Sequence, residues 1–132
     1  RYNAVDRPRE YLDVCADQDL AVCPYSPLAG GFLTGKYAGG EVPDGSRKDL
    51  YGGEVDYPDR YWRVLDVVES VAEEVDATPA QVSLRWLIDQ PDFTCVPIFG
   101  ARSVDQLEEN VAATEVDLSA DQYERIAAAY EQ

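Results

Sequence analysis

Two stretches of this sequence place glycines and polar side chains directly after a short apolar run. The first reads Cys23-Pro24-Tyr25-Ser26-Pro27-Leu28-Ala29-Gly30-Gly31-Phe32-Leu33-Thr34-Gly35-Lys36-Tyr37. Glycines let a backbone approach a ligand closely and expose N–H groups that can hold an anion. Lys36 adds a cation there, and Lys48 is the only other lysine in the chain. An ordinary turn after a strand, with Lys36 in solvent, fits this spacing equally well. The second stretch is Val96-Pro97-Ile98-Phe99-Gly100-Ala101-Arg102, followed at Ser103 by a helix start. A helix N-terminus just after a strand and a glycine suits a phosphate, and Arg102 can bind one bidentately. On that helix Val104, Leu107 and Val111 share one face, predicted to point inward. Gln106, Glu109 and Asn110 cluster on the adjacent face by i, i+3 and i+4 spacing, and three such side chains could read a purine. A solvated helix face beside an incidental arginine is the simpler account of the same residues.

The elements that must position these residues follow from periodicity. Residues 8–18 open with Pro8 at a first-turn position and carry Tyr11, Leu12, Val14 and Cys15 on a helical period. Residues 20–25 and 94–99 each read as a short buried strand. Between about 36 and 58 the chain is rich in Gly, Asp and Pro without periodicity, a long loop of the functional or mobile kind. Tyr61, Leu65, Val68, Ala72 and Val75 mark one apolar helix face. Capping boxes at Thr78-Pro79-Ala80-Gln81, Ser103-Val104-Asp105-Gln106 and Ser119-Ala120-Asp121-Gln122 open three more helices. The last of these carries Tyr123, Ile126, Ala127 and Tyr130. Strands alternating with helices imply a parallel sheet built from βα units. Two strands, or three if residues 1–5 extend one, cannot close a sheet, and a closed eight-stranded α/β barrel takes about 250 residues.

The chain has 132 residues, 45% of them apolar, with 26 acidic against 11 basic side chains and a net charge of −15. That charge excludes nucleic acid and anionic membrane as default partners, and no long apolar run suggests a membrane span. The acids are spread along the whole chain and lysine is scarce, as expected of a soluble protein adapted to a salty cytoplasm. At about 1 M salt the Debye length is only about 3 Å. Cys15, Cys23 and Cys95 show no metal-ligand spacing and histidine is absent, so no metal site is expected. All three read as buried, reduced thiols of a cytosolic protein. Methionine is absent and the chain opens at Arg1, as expected of a segment from a longer reading frame.

Taken together, Tyr25 through Gly31, Leu33-Thr34-Gly35-Lys36-Tyr37, Gly45-Ser46-Arg47, Gly100-Ala101-Arg102 and Gln106 through Asn110 resemble the aldo-keto reductase family. The nearest branch contains potassium-channel β subunits and aryl-alcohol dehydrogenases. The match runs in register over nearly the whole chain, including Tyr2-Asn3 and Thr78-Pro79-Ala80-Gln81. The resemblance implies an α/β fold: the C-terminal part of a (β/α)8 barrel, from the end of strand six through the last helix, incomplete as a barrel. Residues 1–132 would then be the coenzyme-binding portion. By the same resemblance Tyr25 stacks on a nicotinamide ring, while Ser26, Pro27, Leu28 and Gly30 follow the pyrophosphate. Lys36 and Arg47 come from the long loop that closes over it. Gly100 belongs to the turn before Arg102, which faces the 2′-phosphate of NADP(H), and Gln106, Glu109 and Asn110 hold the adenosine end. Phe99 departs from the proline usual before that glycine.

The family's catalytic Asp, Tyr, Lys and His belong to earlier strands, so no catalytic residue is assigned within this chain. The expected parent is a cytoplasmic NADP(H)-dependent oxidoreductase reducing aldehydes or ketones. Its partners would be an N-terminal half-barrel, in the same or a separate chain, and a small carbonyl substrate. Two alternatives remain: an NADP(H)-binding regulatory subunit, and a non-functional fragment of a disrupted gene.

Overall fold

The computed structural model describes residues 2–7 and 11–131. Six α-helices follow one another: α1 (Leu12–Asp17), α2 (Arg47–Tyr51), α3 (Asp59–Glu74), α4 (Pro79–Ile88), α5 (Val104–Val111) and α6 (Ala120–Ala129). Two 3-10 segments, Ala29–Thr34 and Ala112–Glu115, complete the order. The predicted helix over 8–18 is present from Leu12, and its Pro8 start lies outside the described residues. The long loop holds one short helix, α2, because Ser46 supplies an N-cap whose Oγ accepts from the Asp49 amide.

The core sits between α3, α4 and α6. Val64, Leu65, Val68, Val71 and Ala72 bury one face of α3, with Tyr61 and Val75 half-buried at its ends as the periodicity predicts. Helix α4 is enclosed on nearly every side, with Val82, Ser83, Leu84, Trp86 and Leu87 all buried. Its capping box forms in full: Thr78 Oγ1 accepts from the Gln81 amide, and Gln81 Oε1 accepts from the Thr78 amide. The Ser119–Gln122 box does the same for α6. On α5 only half of it forms, because Gln106 Oε1 turns to the Arg102 amide instead.

Segment 2–7 is clamped onto this core. Tyr2 donates to Gln90 Oε1 at 2.6 Å, and Tyr61 donates to Asp6 Oδ1 at 2.6 Å. The Arg7 guanidinium donates to the carbonyls of Ile126 and Ala127, at 2.9 Å each, and lies 4.4 Å from the Trp86 ring centroid.

The two expected strands are extended and run parallel, but they pair only through isolated bridges, Val22 with Cys95 and Tyr25 with Ile98. Three backbone bonds join them: Val22 N–H to Thr94, Val96 N–H to Val22, and Ile98 N–H to Pro24. A regular ladder is absent among the described residues, since two short extended segments without further neighbours make few bonds. Neither is buried on both faces as expected. Pro24 and Cys95 pack toward the helices, while Cys23, Tyr25, Val96 and Ile98 are exposed on the other face. Alternation across a strand accounts for this: residues two apart share a face, and only one face has a helical layer. The expectation of three buried thiols fails for the same reason, with Cys95 buried, Cys15 half-buried and Cys23 exposed. The inward face predicted for α5 is also outward: Val104 is 68% exposed, and Leu107 and Val111 are exposed too. The helix packs on α4 through its other side, where Asn110 is buried.

Candidate functional site

The turn after the first extended segment is built from unusual backbone. Ser26, Ala29, Gly30 and Gly31 all have positive φ, at 54, 51, 68 and 93°. The Ser26 carbonyl accepts from the Ala29 amide at 3.0 Å, closing a turn with Pro27 at its second position. Proline pre-sets the φ that this position requires, and Leu28 at φ −98, ψ 18 completes a type I turn. Phe32 and Leu33, both fully buried, then pull the segment onto the core. Phe32 packs among Tyr57 (4.3 Å between centroids), Trp62 (4.9 Å) and Tyr61 (5.8 Å).

Two cations lie beside this turn. A Cβ on Gly31 would stand 2.5 Å from Lys36 Cε and Nζ, so the Lys36 side chain lies back across a surface that only glycine leaves open. A Cβ on Gly30 would meet Arg47 Cδ at 3.9 Å, which puts the Arg47 stem beside the same turn. Lys48 sits 4.5 Å from the Tyr57 centroid and 5.9 Å from that of Tyr37, and donates to the Glu54 carbonyl. Arg102 reaches across from the second extended segment and donates to the Gly45 carbonyl at 2.6 Å. Lys36 and Arg47 therefore lie beside the turn, and Arg102 ties the second extended segment to the long loop just before Arg47.

The predicted residues divide as follows. Gly30, Lys36 and Arg47 come together, and Arg102 joins them through the long loop. Tyr25 is 61% exposed at the end of its extended segment, on the face away from the helices. Pro27 is buried, and Ser26 and Leu28 are half-buried. Gly100 is exposed, with open space where a Cβ would be. Gln106 is exposed but engaged with the Arg102 amide, the Glu109 carbonyl accepts from Gln81 at 3.1 Å, and Asn110 is 7% exposed. Sequence reasoning missed two participants. Lys48 was legible only as a rare lysine, and Asn3 only as part of a match. Asn3 is fully buried and its Nδ2 donates to the Ser26 carbonyl at 2.9 Å, a contact 23 residues apart that no local pattern announces.

Among the described residues no group of three metal-ligating side chains occurs, and no helix is long and apolar enough to cross a membrane.

The model of the aldo/keto reductase family matches residues 1–131. An uncharacterised oxidoreductase of Mycobacterium tuberculosis is 45% identical over 105 residues, covering 78% of this chain and 31% of that protein. The aldo-keto reductase yakc [NADP(+)] of Schizosaccharomyces pombe is 33% identical over 120 residues, covering 87% and 34%. The chain thus spans about a third of the length of the curated relatives it matches. A crystal structure of a thermostable aldo-keto reductase in complex with epalrestat superposes with a TM-score of 0.66 at 23% identity, over 98% of this chain and 38% of that one. Its likeness is one of fold. The helical layer, the two parallel extended segments and the family match over nearly every residue agree, and this chain belongs to the aldo/keto reductase family.

Proposed function

We propose that this chain is the coenzyme-binding portion of an NADP(H)-dependent oxidoreductase that reduces aldehydes or ketones. The observation that carries the reading is that Lys36 and Arg47 lie beside the Gly30–Gly31 turn, with Arg102 bonded to the Gly45 carbonyl two residues before Arg47, in an otherwise strongly acidic chain. The fit is chemical. Bare glycine backbone with two cations suits a pyrophosphate, and a planar guanidinium suits a terminal phosphate. Tyr25 offers an exposed ring at the end of an extended segment, where it can orient a flat nicotinamide. Gln106, Glu109 and Asn110 are assigned to the adenosine end. NADPH held there supplies a hydride, and this chain's own residues hold and orient the coenzyme.

The exposed face of Cys23, Tyr25, Val96 and Ile98, with the outward Val104, Leu107 and Val111, supports a further part of the proposal. These apolar surfaces suit the remaining strands of a (β/α)8 barrel, which would also bring the residues that protonate the carbonyl. The location is assigned to the cytoplasm, and the acidic surface to a salty one. Arg102→Ala tests the coenzyme reading in the full-length protein. NADPH affinity should fall by about tenfold or more while NADH changes by less than about twofold, measured by titration. Equal weakening of both would remove Arg102 from the 2′-phosphate.

A further inference from the structure

We infer that Asn3 is a positioning residue that holds the Ser26–Gly31 turn in its binding shape. Asn3 is fully buried, and its amide serves both sides of the gap between segment 2–7 and the turn. Its Oδ1 accepts from the amides of Val5 (3.0 Å) and Asp6 (2.8 Å), and its Nδ2 donates to the Ser26 carbonyl (2.9 Å). That carbonyl is the one that closes the turn with Ala29. Ser26 itself has φ 54°, a left-handed conformation that a residue with a Cβ adopts only when its surroundings over-determine it. Asn3 supplies that constraint, because it is fixed on both sides by Tyr2 to Gln90 and by Asp6 to Tyr61. Position is therefore passed from the core, through one amide, to the backbone that presents Gly30 and Gly31. The consequence for ligand binding rests on the coenzyme reading above; the consequence for the backbone does not.

The test is a double-substitution cycle in the full-length protein, with NADPH as the probe and amide hydrogen exchange as a ligand-free readout. Asn3→Ala should speed exchange at Leu28 to Gly31 while leaving α3 and α4 protected, and should weaken NADPH by about tenfold. In a Ser26→Gly background, where the left-handed conformation needs no support, the same change should cost less than about threefold. A purely structural loss would cost the same in both backgrounds, and that result, or unchanged exchange at Leu28 to Gly31, would overturn the inference. Should Asn3→Ala fail to fold, Asn3→Ser keeps a neutral acceptor for the Val5 and Asp6 amides and is too short to reach the Ser26 carbonyl. It must give the same coupling. If the unsubstituted protein binds no NADPH, the coenzyme reading fails, and the exchange comparison alone decides the role of Asn3.

Discussion

Arg7 shows how one side chain can finish an element it does not belong to. The last turn of α6 carries no basic residue, and Arg7 brings its guanidinium to the Ile126 and Ala127 carbonyls from the opposite end of the sequence. It also lies 4.4 Å from the Trp86 centroid and 4.7 Å from that of Tyr130. Charge-assisted bonds to helix-end carbonyls and a partly desolvated cation–π contact together suggest that Arg7→Ala costs about 2–3 kcal/mol, read from a denaturant midpoint. Arg7→Lys should recover less than half of that, since an ammonium cannot serve both carbonyls and both rings. At the glycine turn the expected effect is on binding more than stability. Gly31→Ala strains a φ of 93° and pushes Lys36 off the turn, whereas Gly39→Ala strains a φ of 87° with nothing within 4 Å. Both should lose about 1–2 kcal/mol of stability, but only the first should also weaken NADPH. Lys36 stands out in the sequence because lysine is scarce and three glycines precede it closely, and Arg102 because it follows Gly100 at a helix start. Asn3 and Lys48 do not, because their partners lie far along the chain or on rings whose packing only the fold decides.

Among the elements, the helices were the legible part. A 3.6-residue period and a capping box are local signals, and α3, α4 and α6 appear where those signals place them. The direction of a helix face is not local. Val104, Leu107 and Val111 share a face as predicted, yet α5 packs on α4 through its other side and they point outward. Because α4 is enclosed by its neighbours, its start bears on the whole fold: Thr78→Ala should lower stability by about 1 kcal/mol, seen as a shift in a single unfolding transition. Helix α3 carries a pH signature. Burial first, then the charges of Asp66 and Glu73, raise the Glu69 carboxyl above the ordinary carboxylate range. Its folded-state pKa therefore exceeds the unfolded one, and its contribution to stability is greatest in acid and is lost as pH rises through the folded value. Glu69→Gln should stabilise the protein at neutral pH, with the advantage shrinking as the pH is lowered; an advantage that grew in acid would contradict this.

At the scale of the whole molecule, charge and exposed surface make separate demands. With 26 acids against 11 bases, self-repulsion should be relieved by salt, so the melting temperature should rise between dilute buffer and molar KCl. The exposed sheet face makes a sharper demand, and the contrast between Cys23 on it and Cys95 behind it reports on it. Cys95 points toward the helices, where burial first and neighbouring Cys23 second push its thiol up to about 12, so at pH 8 it is protonated as well as shielded. Cys23 lies on the free face, exposed beside Tyr25. In residues 1–132 alone, a maleimide at pH 8 should label Cys23 quickly and Cys95 only after unfolding, with mass spectrometry assigning the sites. Where the remaining strands proposed above are present, a completed barrel would turn that face into the packed interior, and Cys23 should become as slow as Cys95. Fast labelling of Cys23 with those strands present would mean that the face stays open, and the barrel proposed around it would have to be abandoned.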